Sequence, residues 1–267
     1  MLRGVVIGMR RLAQRLREHD WFAAAVELAI VVIGILLALQ VSNWNQARAD
    51  ARRARAYLAR MVADLETDLR VNRDRARFMA QVNRYGLQAL AHADTGALAG
   101  GSAWNTVLAY YQAGQFYAYS REDNTFAEMR DSGDLGLIRD PQLRSALAFY
   151  YQSSANRMAD LMLNNLIPQY RQDIRSVTPM AVQDYVWAHC FRILPGSARD
   201  QRMIACPPPV PEAQAKAILA GYARVPELAR DLRFWLSNQR VAGLNAPEDR
   251  RDALQLKARV ERALRAP

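Results

Sequence analysis

Residues 21–41 read WFAAAVELAIVVIGILLALQV, a run whose polar members are Glu27 and Gln40. As a helix rising 1.5 Å per residue it would cover about 30 Å, the depth of a bilayer's hydrocarbon core. Trp21 and Trp44 bracket it, and indole rings favour the membrane–water interface. The expectation is a membrane-spanning helix over 21–41, because core helices of soluble proteins are seldom so long and so apolar with aromatics at both ends. A cleaved secretory signal is the main competitor. Against it, residues 1–20 contain Glu18 and Asp20, and Leu39-Gln40-Val41 offers no small-x-small cleavage site.

Working outward, residues 1–20 are expected to form a basic cytoplasmic segment. Met9, Leu12 and Leu16 have helical spacing, with Arg10, Arg11, Arg15 and Arg17 between them, which suits either a helix on the inner membrane face or a frayed tail. Five arginines flank the span on the N-terminal side (Arg3, Arg10, Arg11, Arg15, Arg17). Five more flank it on the other side (Arg48, Arg52, Arg53, Arg55, Arg60), so the positive-inside rule abstains. The α-amino charge favours a cytoplasmic N-terminus. Cys190 and Cys206 either close a loop in an oxidising compartment or are two separate buried thiols. Together these point to a bacterial inner-membrane protein with its bulk in the periplasm. Within the span, Glu27 either pairs with another helix or carries a proton, or else sits hydrated near the interface. Gly34 and Ala38 form a small-xxx-small pair that permits close helix contact.

Residues 42–267 are expected to be an α-helical soluble domain. No Pro or Gly interrupts the chain from the span to Gly86. Leu58, Leu65, Asn72 and Met79 recur at seven-residue spacing, with Val62, Leu69 and Ala76 beside them, giving one apolar stripe on a long stalk helix. Arg60/Asp64 and Glu66/Arg70 have i,i+4 spacing, so Asp64 and Asp68 read as part of a solvated charged face, not as metal ligands. The stalk should end by residues 96–101, and a short helix should follow around 104–112. The capping-box spacing of Ser120 and Asp123 predicts a helix through Arg130, stopped at Gly133. Asp140-Pro141 should open a helix to about Ser176, kinked at Pro168, and Thr178-Pro179 another to about Cys190. Residues 193–211, with Pro207-Pro208-Pro209, read as an irregular loop, and the last helices should break near Pro226 and Pro247. No alternating run is long enough for a sheet. The fold class is all-α: one N-terminal transmembrane helix continuing into a long stalk helix and a helical bundle.

The stretch VELAIVVIGILLALQVSNWNQARAD (26–50) closely resembles an uncharacterised bacterial family of small single-pass membrane proteins, a domain of unknown function. The likeness lies in Glu27, the GILLALQ core at 34–40 and the exit Asn43-Trp44-Asn45. Two further blocks resemble the same family: YLARMVADLETDL (57–69) and TFAEMRDSGDLGLIRDPQLRSALAFYY (125–151). The resemblance covers about a third of the chain. It implies a membrane-anchored helical protein, and a third block built as helix, glycine turn, apolar insert and helix. It supplies no chemistry.

The net charge is +10, yet all but two of the 36 basic residues are arginine (Lys216 and Lys257 are the exceptions), and acids are interspersed throughout. That pattern suits a GC-rich genome better than a nucleic-acid surface. The composition excludes a disulfide-dense mini-scaffold, a disordered chain and a polytopic transporter. The three histidines are His19, His92 and His189. Even if His189 met Cys190 and Cys206, three ligands fall short of a closed zinc site. Asp131-Ser132-Gly133-Asp134 lacks the oxygen ligands of a calcium loop. No phosphate loop, nucleophile elbow or dinucleotide fingerprint occurs. Tyr110, Tyr111, Tyr117, Tyr119, Tyr150 and Tyr151 read as core packing. No enzyme activity, metal or cofactor is expected. The partners expected are the bilayer and a protein partner or second copy meeting the transmembrane or stalk helix. The expected function is an interaction or scaffold module. The alternative is a ligand-sensing helical domain that signals through a partner, since residues 1–20 are too short to hold an output domain.

Overall fold

The computed structural model describes residues 2–117, 121–152, 169–193 and 201–266; for 2–20, 22–24 and 242–246 only the backbone is described. The chain is mostly helical and divides into two compact units, Met1–Ala56 and Tyr57–Pro267. One helix, α1 (Leu2–Thr95), runs through both without a break. In the first unit its most apolar window has a mean hydropathy of 2.4 and none of it is buried, so the helix is long and apolar enough to cross a bilayer. α1 stops where Gly96 takes a left-handed φ of 76° and its N–H bonds back to the His92 carbonyl, a turn that a Cβ would strain.

The second unit is organised by two antiparallel helices. These are the distal part of α1 and a C-terminal helix, Leu228–Arg265, here α8. Lys257 meets Glu66 at 3.2 Å, Arg233 pairs with Asp94, and Gly86 lies against Leu236 between them. Packed around this pair are α2 (Ala103–Ala113), α3 (Asn124–Asp131), α4 (Pro141–Gln152), α5 (Gln169–Val177), α6 (Met180–His189) and α7 (Glu212–Ala223). One core gathers Met61, Leu65, Phe126, Leu147 and Val260, and another Trp104, Tyr111, Tyr170, Tyr222 and Trp235. A smaller one between them holds Phe78, Val82, Tyr117 and Met203. The described tyrosines of the expected set (Tyr110, Tyr111, Tyr117, Tyr150, Tyr151) are packed into these cores, while Tyr119 lies outside the described residues.

Several expectations need correction. On α1 the buried line passes through Met61, Leu65, Asp68, Val71, Phe78 and Val82; Asn72 and Met79 flank it and Ala76 is exposed. A heptad stripe assumes one continuous partner. Here the cover changes along the helix, from α3 and α4 around Leu65 to Tyr117 and Met203 around Phe78. The i,i+4 pairs give way to long-range ones, Arg60 with Glu128 at 2.7 Å and Glu66 with Lys257. Helix α3 starts at Asn124 with Asp123 as its N-cap and no side-chain cap bond, while Ser120, the other member of the expected capping box, lies outside the described residues. Asp140 does cap α4, its carboxylate accepting from the Gln142 N–H at 2.8 Å. The stretch holding Pro168 lies outside the described residues.

A two-stranded antiparallel sheet, β1 (Phe191–Ile193) with β2 (Gln201–Met203), replaces part of the expected irregular loop. Strands of three residues are too short to leave an alternating pattern. The Gln81 amide braces β2, donating to the Met203 carbonyl at 2.9 Å and accepting from its N–H at 3.3 Å. Pro226 does separate α7 from α8, but Pro247 lies inside α8. Its flanks are held independently, Leu232, Trp235 and Leu236 in one core and Ala253, Leu256 and Val260 in another, so packing on both sides offsets the missing backbone hydrogen bond.

Candidate functional site

Trp21, Glu27, Gly34, Ala38, Gln40 and Trp44 all lie on α1 in the first unit, and all are exposed. At about 100° per residue, Glu27, Gly34 and Ala38 share a stripe about 40° wide, with Gln40 on roughly the opposite face. A Cβ built on Gly34 would meet nothing within 4 Å. Trp21 is 76% exposed, and the Arg48 guanidinium lies 3.7 Å from the Trp44 ring centroid. This is an apolar surface with a small-residue track and one carboxylate.

Cys190 and Cys206 are joined by a disulfide, Cα–Cα 5.1 Å, immediately outside the β1–β2 ladder. Their carbonyls are used as well. Cys190 accepts from the Ile204 N–H at 3.0 Å, and Cys206 from the Trp104 indole at 3.3 Å. With both sulfurs bonded to each other, neither is a thiolate ligand. His189 instead lies beside the Tyr185 ring, centroids 4.4 Å apart.

The expected solvated face is overturned at Asp68, which is 0% exposed. One carboxylate oxygen accepts from the Glu122 N–H at 2.8 Å and the other from the Tyr150 hydroxyl at 2.9 Å. One turn earlier, Asp64 accepts from the Thr125 N–H at 3.3 Å. The start of α3 is therefore capped across the bundle by two acids of α1, where N-terminal N–H groups and the helix dipole favour negative charge. Arg121 lies 4.2 Å over the Tyr150 ring, donates to the Tyr150 carbonyl, and ion-pairs with Asp249 of α8 at 3.4 Å. Burial, reinforced by Asp68 and Asp64, pushes the Tyr151 phenol far above its usual range. Burial also raises Asp249, against the pull of Arg121 and Arg75. The carboxylates and the guanidinium satisfy one another and nearby backbone, so the cluster clamps α3, α4 and α8 to α1. Asp68 is in helical phase with buried Met61 and Leu65, a sign of burial that its charged neighbours Arg60 and Arg70 masked in the sequence.

No family model, curated protein or solved structure matches the chain. Beyond the apolar helix, a wide groove of about 610 Å³ opens between α4 and α8, lined by Ala146, exposed Phe149, Leu256, Asp252 and Arg259. Among the described residues no group of three or more His, Cys, Asp or Glu is placed to hold a metal ion.

Proposed function

We propose that the protein is a single-pass inner-membrane protein whose helical bundle is an interaction or scaffold module in the periplasm. One observation carries the anchor: the window of mean hydropathy 2.4 is 0% buried, while the large apolar side chains of the other unit are mostly buried in its cores. Leaving such a surface in water would cost about 25 cal/mol per Å², a force that drives it into lipid. The Cys190–Cys206 disulfide supports an oxidising compartment for the bundle. The Glu27–Gly34–Ala38 stripe is the face on which another helix in the membrane, from a partner or a second copy, would pack. The interaction role, and the absence of enzyme activity, rest on a polar cluster used up in bracing helices.

Three measurements test this. In alkaline carbonate extraction the full-length chain should stay in the membrane pellet; recovery in the supernatant would overturn the anchor. Alkaline phosphatase fused after Pro267 should be active in intact cells, and activity restricted to a cytoplasmic reporter would reverse the orientation. Photo-crosslinking from position 34 should give one discrete adduct. A smear of unrelated membrane proteins would argue against a specific partner. A ligand-sensing domain is the second reading, favoured by the groove between α4 and α8. A metabolite that raises the unfolding midpoint of wild-type protein but not of a Phe149→Asp variant would establish it.

A further inference from the structure

Where the end of α2 meets α5, two buried donors, Gln115 Nε2 and Arg171 Nη1, have no acceptor among the described residues. Gln115 is only 3% exposed. Its Oε1 accepts from Arg175 at 3.3 Å, which orients the amide so that Nε2 is the free donor, and that nitrogen is buried with no partner. Arg171 lies one turn before Arg175 on α5, and its Nη1 is likewise buried and unpartnered. A Cβ on Gly114 would lie 3.6 Å from the Arg171 Cα, so the two backbones are nearly in contact here. The Arg171 guanidinium is held 4.5 Å over the Phe116 ring.

The described acids on and beside α5 do not neutralise this pair. Asp173 accepts from Gln169, and Asp184, whose charge acts on Tyr111 together with both arginines, is in no ion pair with either among the described residues. Burial and the neighbouring Arg175 charge push the Arg171 guanidinium down to about 10, and among the described residues no carboxylate is ion-paired with either arginine. Orphaned buried donors are destabilising, and guanidinium forks match oxyanions in shape and charge.

We propose that Arg171, Arg175 and the Nε2 of Gln115 form a binding site for one small oxyanion. The two guanidinium groups supply charge and the amide supplies direction. A carboxylate or a phosphate group satisfies the same donors, and the test separates them.

Full-length protein in uncharged detergent is titrated calorimetrically with sodium phosphate, and separately with sodium acetate, against sodium chloride at matched ionic strength. The expected result is saturable binding of one anion per chain, with phosphate or acetate identified by which titration saturates. Arg171→Gln and Arg175→Gln should each weaken it by about tenfold or more. Gln115→Glu would place a carboxylate among the donors. It should raise the unfolding midpoint and abolish the response to added anion, whereas a glutamate buried in a merely structural position would lower the midpoint. Absence of saturable binding to either anion overturns the proposal. So does an unchanged titration in Arg175→Gln, or a Gln115→Glu variant that is destabilised and still binds.

Discussion

A carboxylate withdrawn from water destabilises a fold by several kcal/mol unless donors replace its hydration, and Asp68 receives them from the Glu122 N–H and the Tyr150 hydroxyl. Asp68→Ala removes both acceptors and leaves the donors stranded, so it should lower stability by about 3 kcal/mol. Tyr150→Phe removes one donor and should cost about 1 kcal/mol. Denaturant unfolding of the full chain in detergent checks both, and equal losses would contradict this account. His92 offers a pH test. Burial holds its imidazole below the ordinary value, with Nδ1 3.2 Å from the Tyr110 hydroxyl. The folded state therefore binds this proton less readily than the unfolded chain, so stability should fall as pH drops below about 6.5. Unfolding midpoints at about pH 7.5 and 5.5 should show this contribution, and His92→Gln should remove it.

At the scale of elements, the α1–α8 pair depends on a close approach and tolerates an irregularity. A Cβ on Gly86 would lie 2.5 Å from a Leu236 methyl carbon and 3.1 Å from its Cγ. Gly86→Val should therefore separate the helices and lower stability by about 2 kcal/mol. Pro247 lies inside α8 and cannot donate to the preceding turn. Since the helix is pinned on both sides, Pro247→Ala should restore that bond and raise stability by about 1 kcal/mol or more. Thermal unfolding followed by circular dichroism at 222 nm (a helix signal) measures each change. A Pro247→Ala variant less stable than wild type would mean that the proline serves a required bend.

At the scale of the whole molecule, the disulfide closes a loop with a sequence separation of 16 around the small sheet. Replacing both cysteines by serine should cost about 3 kcal/mol by the loop-entropy argument. Dithiothreitol should lower the unfolding midpoint of the wild type and leave the serine variant unmoved. Much of this architecture was legible in the sequence. The helical class, the helix end before Gly96, the Asp140 cap and the separation at Pro226 all follow from local residue chemistry. The positions that misled were those where a distant element replaced the local partner. Ser120 and Asp123 had the spacing of a capping box, but α3 begins only after Asp123, and Asp68 and Asp64 accept from the N–H groups of Glu122 and Thr125 at its start. Arg60 had Asp64 one turn away, but Glu128 takes it.

The sequence by itself determined the long apolar helix and the helical nature of the rest, because side-chain periodicity and breaker residues act within a few positions along the chain. Only the tertiary structure decided which face of α1 is buried, that Asp68 is interior, that Pro247 is carried through a helix, and that Gln115, Arg171 and Arg175 meet. Each of these depends on what another part of the chain brings within a few ångströms, and spacing along the sequence does not encode that.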